Sequence, residues 1–322
     1  MKTILITGGA GFIGSNFIHY ILEKYPGYKI INYDALTYAG NLKNLSDIQS
    51  NPNYSFVKGH IADTQRIEII FMRGIDYVIN FAAETHVDRS IQDSESFVVT
   101  NVLGVQTLLG LSKKYGVKKY LQVSTDEVYG SLSDEGFFTE KTPLCPNNPY
   151  SASKAAADLL TLAYYKTYKF PVNITRCSNN YGPNQYPEKL MPLVILKAMN
   201  EDAIPIYGNG LNIRDWIHVE DHCRGIDLVL HNGKIGEVYN IGGNNEIDNL
   251  TIVKNILHIM SKNESLIQHV EDRLGHDYRY AIDASKIKEE LGFKSEINFS
   301  VGLKSTINWY IKNASWFFKQ LI

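Results

Sequence analysis

The run VSTDEVYG, Val123 to Gly130, sets a hydroxyl and two carboxylates side by side: Thr125, Asp126 and Glu127. It ends the apolar stretch KYLQVST, which reads as a buried strand. Adjacent like charges at the mouth of such a strand repel each other and resist dehydration. Two readings accommodate that cost. The pair is a solvated turn at a helix N-terminus, where Asp and Glu are favoured. Alternatively it is a matched acid and base whose proximity sets their pKa values apart.

A second constellation lies downstream. NPYSASKAAADLL puts Tyr150 and Lys154 four residues apart at the start of a helical pattern, so both share one face. A free tyrosine, with a pKa of about 10, is a poor base at neutral pH. An adjacent ammonium stabilises the phenolate and lowers that value, which fits Tyr150 to take a proton from a sugar hydroxyl. By spacing alone the pair is also an ordinary helix-surface pair.

A third lies at the N-terminus. TILITGGAGFIGSN places Gly9, Gly11 and Gly14 in GxGxxG spacing and Gly8, Gly11 and Gly14 in GxxGxxG spacing, between a strand pattern and a helix pattern. Such glycines permit a tight turn and bring backbone N–H groups to a pyrophosphate at the helix N-terminus. Asp34, ending INYD, follows Gly14 by 20 positions. A carboxylate there accepts hydrogen bonds from ribose hydroxyls and repels a 2′-phosphate, which favours NAD over NADP. Asp63, ending KGHIAD, is placed either to reach the adenine edge or as an ordinary loop aspartate.

These groups need a scaffold. Apolar, β-branched runs predict strands over 3–7, 29–34, 54–59, 77–83, 119–125 and 172–178, alternating with helical patterns near 12–25, 64–73, 95–115 and 150–169. Strand–helix alternation predicts an α/β fold, a Rossmann-like doubly wound parallel sheet. After about residue 178, Pro and Gly become frequent and strands short, which predicts a smaller mixed α/β substrate-binding region. The expected division is 1–178, with segments returning near 215–245, and 179–322 mainly as the smaller domain. The last stretch, LKSTINWYIKNASWFFKQLI, reads as a terminal helix docked on the core.

The 322 residues suffice for a sizeable core, and 44% hydrophobic with 20% charged residues excludes a wholly disordered chain. A net charge of −2 gives no global basic field for nucleic acid. No apolar run approaches the roughly 20 residues of a membrane span. Cys145, Cys177 and Cys223 are far apart and odd in number, which points to a reduced, cytoplasmic protein without a structural zinc. His86, His218 and His276 show no metal-ligand spacing, so no metal is expected.

The glycine loop, Thr125 and the Tyr150–Lys154 pair resemble the extended short-chain dehydrogenase/reductase superfamily over essentially the whole chain. FAAETHVDRSI, STDEVYG, YSASKA, TRCSNNYGP, PEKLMP, RDWIHVEDH and RLGHDYRYAID are similar to segments of its dTDP-glucose 4,6-dehydratase family. That resemblance implies a hydro-lyase acting on a nucleotide sugar, with NAD retained and regenerated each turnover. It implies Tyr150 as the base at the 4-hydroxyl, assisted by Thr125 and Lys154, Asp126 as general acid and Glu127 as the base at carbon 5. It places Gly8, Gly11, Phe12, Ile13, Gly14, Asp34, Asp63, Ala82, Tyr150 and Lys154 at the cofactor. It places Glu84 and Thr85 near the sugar, Asn179 near the sugar and diphosphate, Lys189 and Leu190 on the nucleotide side, and Arg214 and Arg273 at the diphosphate. It also implies a homodimer built on the helices near 95–115 and 150–169, and a role in deoxysugar and cell-surface polysaccharide synthesis.

Four positions depart from the family's usual residues: Thr85, Asn184, Leu274 and Tyr278. They bear on which nucleotide sugar is taken, not on the acid, base or hydride machinery. The competing readings are a dehydratase acting on a UDP-sugar such as UDP-N-acetylglucosamine, a 4-epimerase, and a non-catalytic NAD-binding regulator. An epimerase has no use for Asp126 and Glu127, and a regulator has no use for the intact catalytic set.

Overall fold

The computed structural model describes residues 2–318. Seven strands form the central sheet: β1 (Lys2–Thr7), β2 (Tyr28–Asp34), β3 (Tyr54–Lys58), β4 (Tyr77–Asn80), β5 (Lys119–Thr125), β6 (Val172–Cys177) and, later in the chain, β10 (Val238–Ile241). Their order is β10-β6-β5-β4-β1-β2-β3, with every neighbouring pair parallel. The chain reverses direction across the sheet between β1 and β4, the place where open α/β sheets bind ligands.

Alternation along the strands builds two cores. Ile4 and Ile6 of β1 join one cluster with Phe17, Ile18 and Ile21 of the helix Phe12–Lys24. Leu5, between them, points to the opposite cluster with Leu108 and Leu109 of the helix Val105–Lys114. A period of two on a sheet covered on both faces requires this split.

The later chain forms two small sheets. β7 (Asn179–Tyr181), β9 (Ile213–His218) and β11 (Glu246–Asp248) make one, in the order β11-β9-β7; β8 (Ile204–Tyr207) and β12 (Ile267–Val270) make the other. They share a separate apolar cluster with the helices Leu190–Asn200, Asn249–Ile259 and Phe299–Phe318. The helix Val219–Asn232 and β10 return to the large sheet, whereas β9 stays in the small one. The sequence pattern for the last helix runs on to Ile322; residues 319–322 lie outside the described residues.

The expected helix over 95–115 is a composite. A short turn at Glu95–Phe97 leads into a widened π-helical segment, Val98–Gly104, and only then the regular helix Val105–Lys114. Asn101, buried in the widened segment, exchanges hydrogen bonds with the Glu84 backbone, donating to its carbonyl (3.0 Å) and accepting from its N–H (2.9 Å). Apolar spacing does not register such a widening, because the extra residue is absorbed by a polar tertiary contact. The expected strand over 77–83 ends at Asn80, which frees Phe81–Ala83 to line a cleft. No helix among the described residues is long and apolar enough to cross a membrane.

Candidate active site

A cleft of about 290 Å³ runs along the C-terminal ends of the central strands. Its wall brings together Gly8, Gly11, Phe12, Ile13, Gly14, Asp34 and Ala82 with Thr125, Asp126, Glu127, Tyr150, Lys154, Glu84, Thr85, Asn179 and Lys189. Four other expected site residues, Asp63, Leu190, Arg214 and Arg273, do not line it.

The turn after β1 is built for close approach. Gly8 has φ +69°, and a Cβ there would lie 2.5 Å from the Ala82 nitrogen. A Cβ on Gly14 would collide with the Gly8 carbonyl oxygen. The helix that follows has Gly11 at its N-cap with no side-chain cap, so its first N–H groups remain available to an anion. Asp34, 8% exposed at the end of β2, accepts from Ala10 N–H (2.9 Å) and Leu36 N–H (2.7 Å). Burial raises its pKa, and those two bonds oppose the rise. Each carboxylate oxygen has a further lone pair for a ribose hydroxyl. This cradle, with an acid at its far end, fits a dinucleotide without a 2′-phosphate.

Asp63 instead caps the helix Thr64–Phe71, accepting from Arg66 N–H at 3.1 Å. The residues of that loop in the cleft wall are Gly59, His60 and Ile61. His60 is fixed by both ring nitrogens: Nδ1 accepts from Ala62 N–H and Nε2 meets the Thr100 hydroxyl, each at 3.1 Å. Its position after β3 was the only available sequence signal for it.

The acid pair occupies a 3-10 turn, Asp126–Tyr129, continuous with β5. It is not a solvated turn. Asp126 is 2% exposed, and the capping group is Thr125, whose hydroxyl accepts from Glu127 N–H at 3.3 Å. Burial first, then the charges of Glu127 and Asp215, push the Asp126 pKa well up. Asp126 Oδ2 has no hydrogen-bond partner among the described residues. Glu127 opens partly to the cleft. Burial raises its pKa too, as does the charge of Asp277, while Lys189, Arg214 and Arg273 oppose the rise. The two carboxyls therefore sit in unequal fields: two acids against Arg214 at Asp126, three cations against Asp277 at Glu127.

Tyr150 opens the helix Pro149–Tyr168, whose start is fixed by Pro149 and a reciprocal cap between Asn148 and Ser151. The Thr125 hydroxyl faces the phenol. The expectation that Lys154 depresses the Tyr150 pKa is corrected here. Burial and the charge of Glu127 raise it, and the Lys154 ammonium donates to the Val123 carbonyl at 2.8 Å instead. Burial lowers the Lys154 pKa in turn. The spacing put both side chains on one face, but the lysine has a backbone partner that spacing does not reveal.

On the substrate side, Lys189 donates to the Thr85 carbonyl at 2.9 Å. Leu190 opens the helix Leu190–Asn200 and packs on the small core. Arg214 donates to the carbonyls of Ile213 (2.7 Å) and Asp277 (2.9 Å) and lies 4.3 Å from the Tyr280 ring centre. Arg273 is held by Asp88 through one hydrogen bond from Nη2 at 2.9 Å and an ion-pair contact of 2.6 Å at Nε. Glu188 is a wall residue that sequence reading missed. It accepts from the Tyr38 hydroxyl at 3.0 Å, and its other oxygen lacks a hydrogen-bond partner among the described residues. Its signal was the acid beside Lys189 in PEKLMP.

The departures scatter. Thr85 lines the cleft, Asn184 adopts φ +70°, Leu274 is 76% exposed, and Tyr278 donates to Asp134 at 2.8 Å. His86 and His218 cap helices, and His276 pairs with Asp272 at 2.7 Å. Among the described residues no group of three or more His, Cys, Asp or Glu side chains is placed to hold a metal ion.

A parallel sheet ending in a glycine turn, an acid after β2, and a tyrosine–lysine helix facing a threonine define a short-chain dehydrogenase/reductase of the extended kind. The family described as GDP-mannose 4,6 dehydratase matches residues 5–306, and the chain belongs to that family. The chain is 47% identical to a dTDP-glucose 4,6-dehydratase of Xanthomonas campestris pv. campestris, covering 98% of this chain and 95% of the relative. The dTDP-glucose 4,6-dehydratase of Bacillus anthracis, solved with NAD, superposes with a TM-score of 0.93 at 55% identity, over 99% of this chain and 100% of that one. The Streptomyces venezuelae enzyme of the same description, solved with NAD and TYD bound, gives 0.97 at 46% identity and the same coverage.

Proposed function

We propose that the chain is a hydro-lyase that converts dTDP-glucose to dTDP-4-keto-6-deoxyglucose. The observation that carries this reading is the acid pair: two adjacent carboxyls, with unequal charged surroundings, share one cleft with Tyr150 and Thr125. When bound, NAD would supply a hydride acceptor for carbon 4 of the sugar and, once reduced, a hydride donor for carbon 6. Gly8, Gly11, Gly14, Asp34 and Lys154 would hold it.

The chain's own residues handle the protons. Tyr150 takes the proton of the 4-hydroxyl while Thr125 orients that hydroxyl. The ketone that results acidifies the proton on carbon 5, and Glu127, whose charged form Lys189, Arg214 and Arg273 favour, removes it. Asp126, whose neutral form burial, Glu127 and Asp215 favour, gives its proton to the hydroxyl leaving carbon 6. As hydride returns to carbon 6, Glu127 gives its proton back to carbon 5, and the proton taken by Tyr150 replaces the one Asp126 spent, so water is the only group lost.

A 4-epimerase would use Thr125, Tyr150 and Lys154 but leave the acid pair without a task. The test is purified protein, without added NAD, against dTDP-glucose, UDP-glucose, UDP-N-acetylglucosamine and GDP-mannose in parallel, read by mass spectrometry. Loss of one water from dTDP-glucose alone is expected. Loss only from another sugar nucleotide moves the substrate and keeps the mechanism; inversion at carbon 4 without water loss overturns it.

We further read the chain as a cytoplasmic homodimer, with residues 1–178 and the returning helix and β10 serving the cofactor and the remainder serving the sugar nucleotide. Val98 and Leu103 of the composite helix and Leu159 of the tyrosine–lysine helix are exposed, which supports pairing of these faces with a second copy. Elution at the mass of one subunit would refute the dimer.

A further inference from the structure

The proposed reaction imposes a geometric demand that neither reactive motif meets by itself. Oxidation at carbon 4 and elimination across carbons 5 and 6 act on neighbouring atoms of one ring. Yet Tyr150 and Lys154 ride on the helix Pro149–Tyr168, while Asp126 and Glu127 ride on the turn after β5. The Lys154 bond to the Val123 carbonyl ties the helix to β5 ahead of the turn, and the turn itself, Asp126–Tyr129, needs a tie of its own.

Arg176 touches both. It lies on β6, paired in register with Ser124, and is 3% exposed. Its Nε donates to Asp158 Oδ2 at 2.8 Å, and Asp158 sits one helical turn beyond Lys154. Its Nη1 donates to the Tyr129 hydroxyl at 2.9 Å, and Tyr129 closes the turn that carries the acid pair. The guanidinium also lies 4.8 Å from the Tyr129 ring centre. Tyr129 has little freedom: its hydroxyl donates to Asn240 Oδ1 at 2.8 Å, and its ring stacks on Phe138 with centres 5.0 Å apart. Asp158 is fully buried, and its other oxygen has no hydrogen-bond partner among the described residues. Its orientation therefore depends on Arg176.

We propose that Arg176 is a positioning residue that sets the distance between the oxidising pair and the acid pair, through Asp158 on one side and Tyr129 on the other. This rests on the dehydratase reading above. The planar fork suits the task, because two donors at a fixed angle define a direction that a lysine's flexible ammonium does not. A buried, paired charge also resists displacement, since leaving either partner unpaired is costly.

The link is cut by Tyr129→Phe, which keeps the ring and removes the hydroxyl that Arg176 holds together with its bond to Asn240, and by Arg176→Lys, which leaves the Asn240 bond in place. Holoenzyme and dTDP-glucose are mixed in a single turnover, quenched over time, and analysed by mass spectrometry for the 4-keto-glucose nucleotide and the dehydrated product. The expected result is oxidation at the wild-type rate with elimination slowed about ten- to a hundredfold, the scale of a sub-ångström to 1 Å misplacement. The 4-keto-glucose nucleotide then accumulates. Arg176→Lys is expected to do the same.

Tyr120→Phe serves as the comparison. It removes another buried hydroxyl, one that bonds Gln122 rather than Arg176, and is expected to leave the ratio of the two steps unchanged. The inference is overturned if Tyr129→Phe slows both steps equally or neither, or if Tyr120→Phe shifts the ratio as much. A wild-type protein that forms neither keto sugar overturns the dehydratase reading and this inference with it.

Discussion

Asp126→Asn should cut turnover by about 10²–10⁴-fold and at the same time gain stability relative to the wild type as pH rises. The side chain is 2% exposed, and Glu127 and Asp215 add negative charge around it, so its folded-state pKa lies well above the ordinary carboxylate value. Between the unfolded and the folded pKa the unfolded chain carries Asp126 ionised, and folding binds a proton there. The contribution of this group to stability is therefore fully present below the unfolded pKa, about 3.9, and falls as pH rises toward the folded value, by about 1.4 kcal/mol per pH unit across that window. Asparagine has nearly the same shape and no charge to neutralise, so the variant lacks this pH-dependent loss. Thermal melts of both proteins from acid to mildly alkaline pH should diverge, with the variant gaining on the wild type as pH rises. The same variant cannot give a proton to the leaving hydroxyl. General acid catalysis contributes about 10²–10⁴-fold, or about 3–5 kcal/mol of barrier, so elimination should fall by that amount while oxidation at carbon 4 persists. Two results would refute the reasoning: full turnover in Asp126→Asn, or a stability difference that shrinks as pH rises.

Glu127→Gln should likewise permit oxidation while suppressing loss of the carbon-5 proton, visible as absent solvent-deuterium exchange at that carbon. Tyr150→Phe should stop the sequence earlier, cutting oxidation by about 10²–10⁴-fold so that no reduced nicotinamide absorbance develops. Asp34→Ala should cost about 1.5–3 kcal/mol of NAD affinity, the worth of a charge-assisted hydrogen bond, and narrow the preference over NADP; unchanged selectivity in a cofactor titration would remove Asp34 from the ribose site. Gly8→Ala places a side chain at φ +69° and against the Ala82 backbone, so it should lose at least about 1–2 kcal/mol in stability and purify with less bound NAD, measured by denaturation and cofactor content.

Legibility from sequence followed the range over which each feature is determined. The glycine turn, Asp34 and the acid pair sit at strand ends, and a strand end is a local property of alternation and punctuation. Their places in the cleft wall match the reading of the chain for that reason. Arg214 and Arg273 are different. Their guanidinium groups are engaged by the Asp277 carbonyl and by Asp88, partners 63 and 185 positions away, and no periodicity records such pairings. The tyrosine–lysine motif shows both cases in one helix. A four-residue spacing correctly predicts a shared face. It says nothing of the Val123 carbonyl, 31 positions earlier, that holds the ammonium. The widened segment Val98–Gly104 escaped because its cause, the exchange between Asn101 and the Glu84 backbone, is tertiary and polar, whereas the apolar pattern around it remains helical.

The continuity of β5 with the turn at Asp126 has a consequence for how chemistry is exchanged on this scaffold. Successive side chains on an extended strand point to opposite sides of the sheet, so a strand prolonged by two residues would send Asp126 and Glu127 apart. The tighter winding that begins at Asp126, about 120° per residue, turns both into one cleft. Behind them all seven residues of β5 are buried, which anchors the turn to the middle of the sheet. Positions 126 and 127 thus act as two adjacent sockets whose direction is set by the backbone and whose reactivity is set by the side chain alone. Replacing the occupants changes what the site does to a ketone without moving the groups that make one.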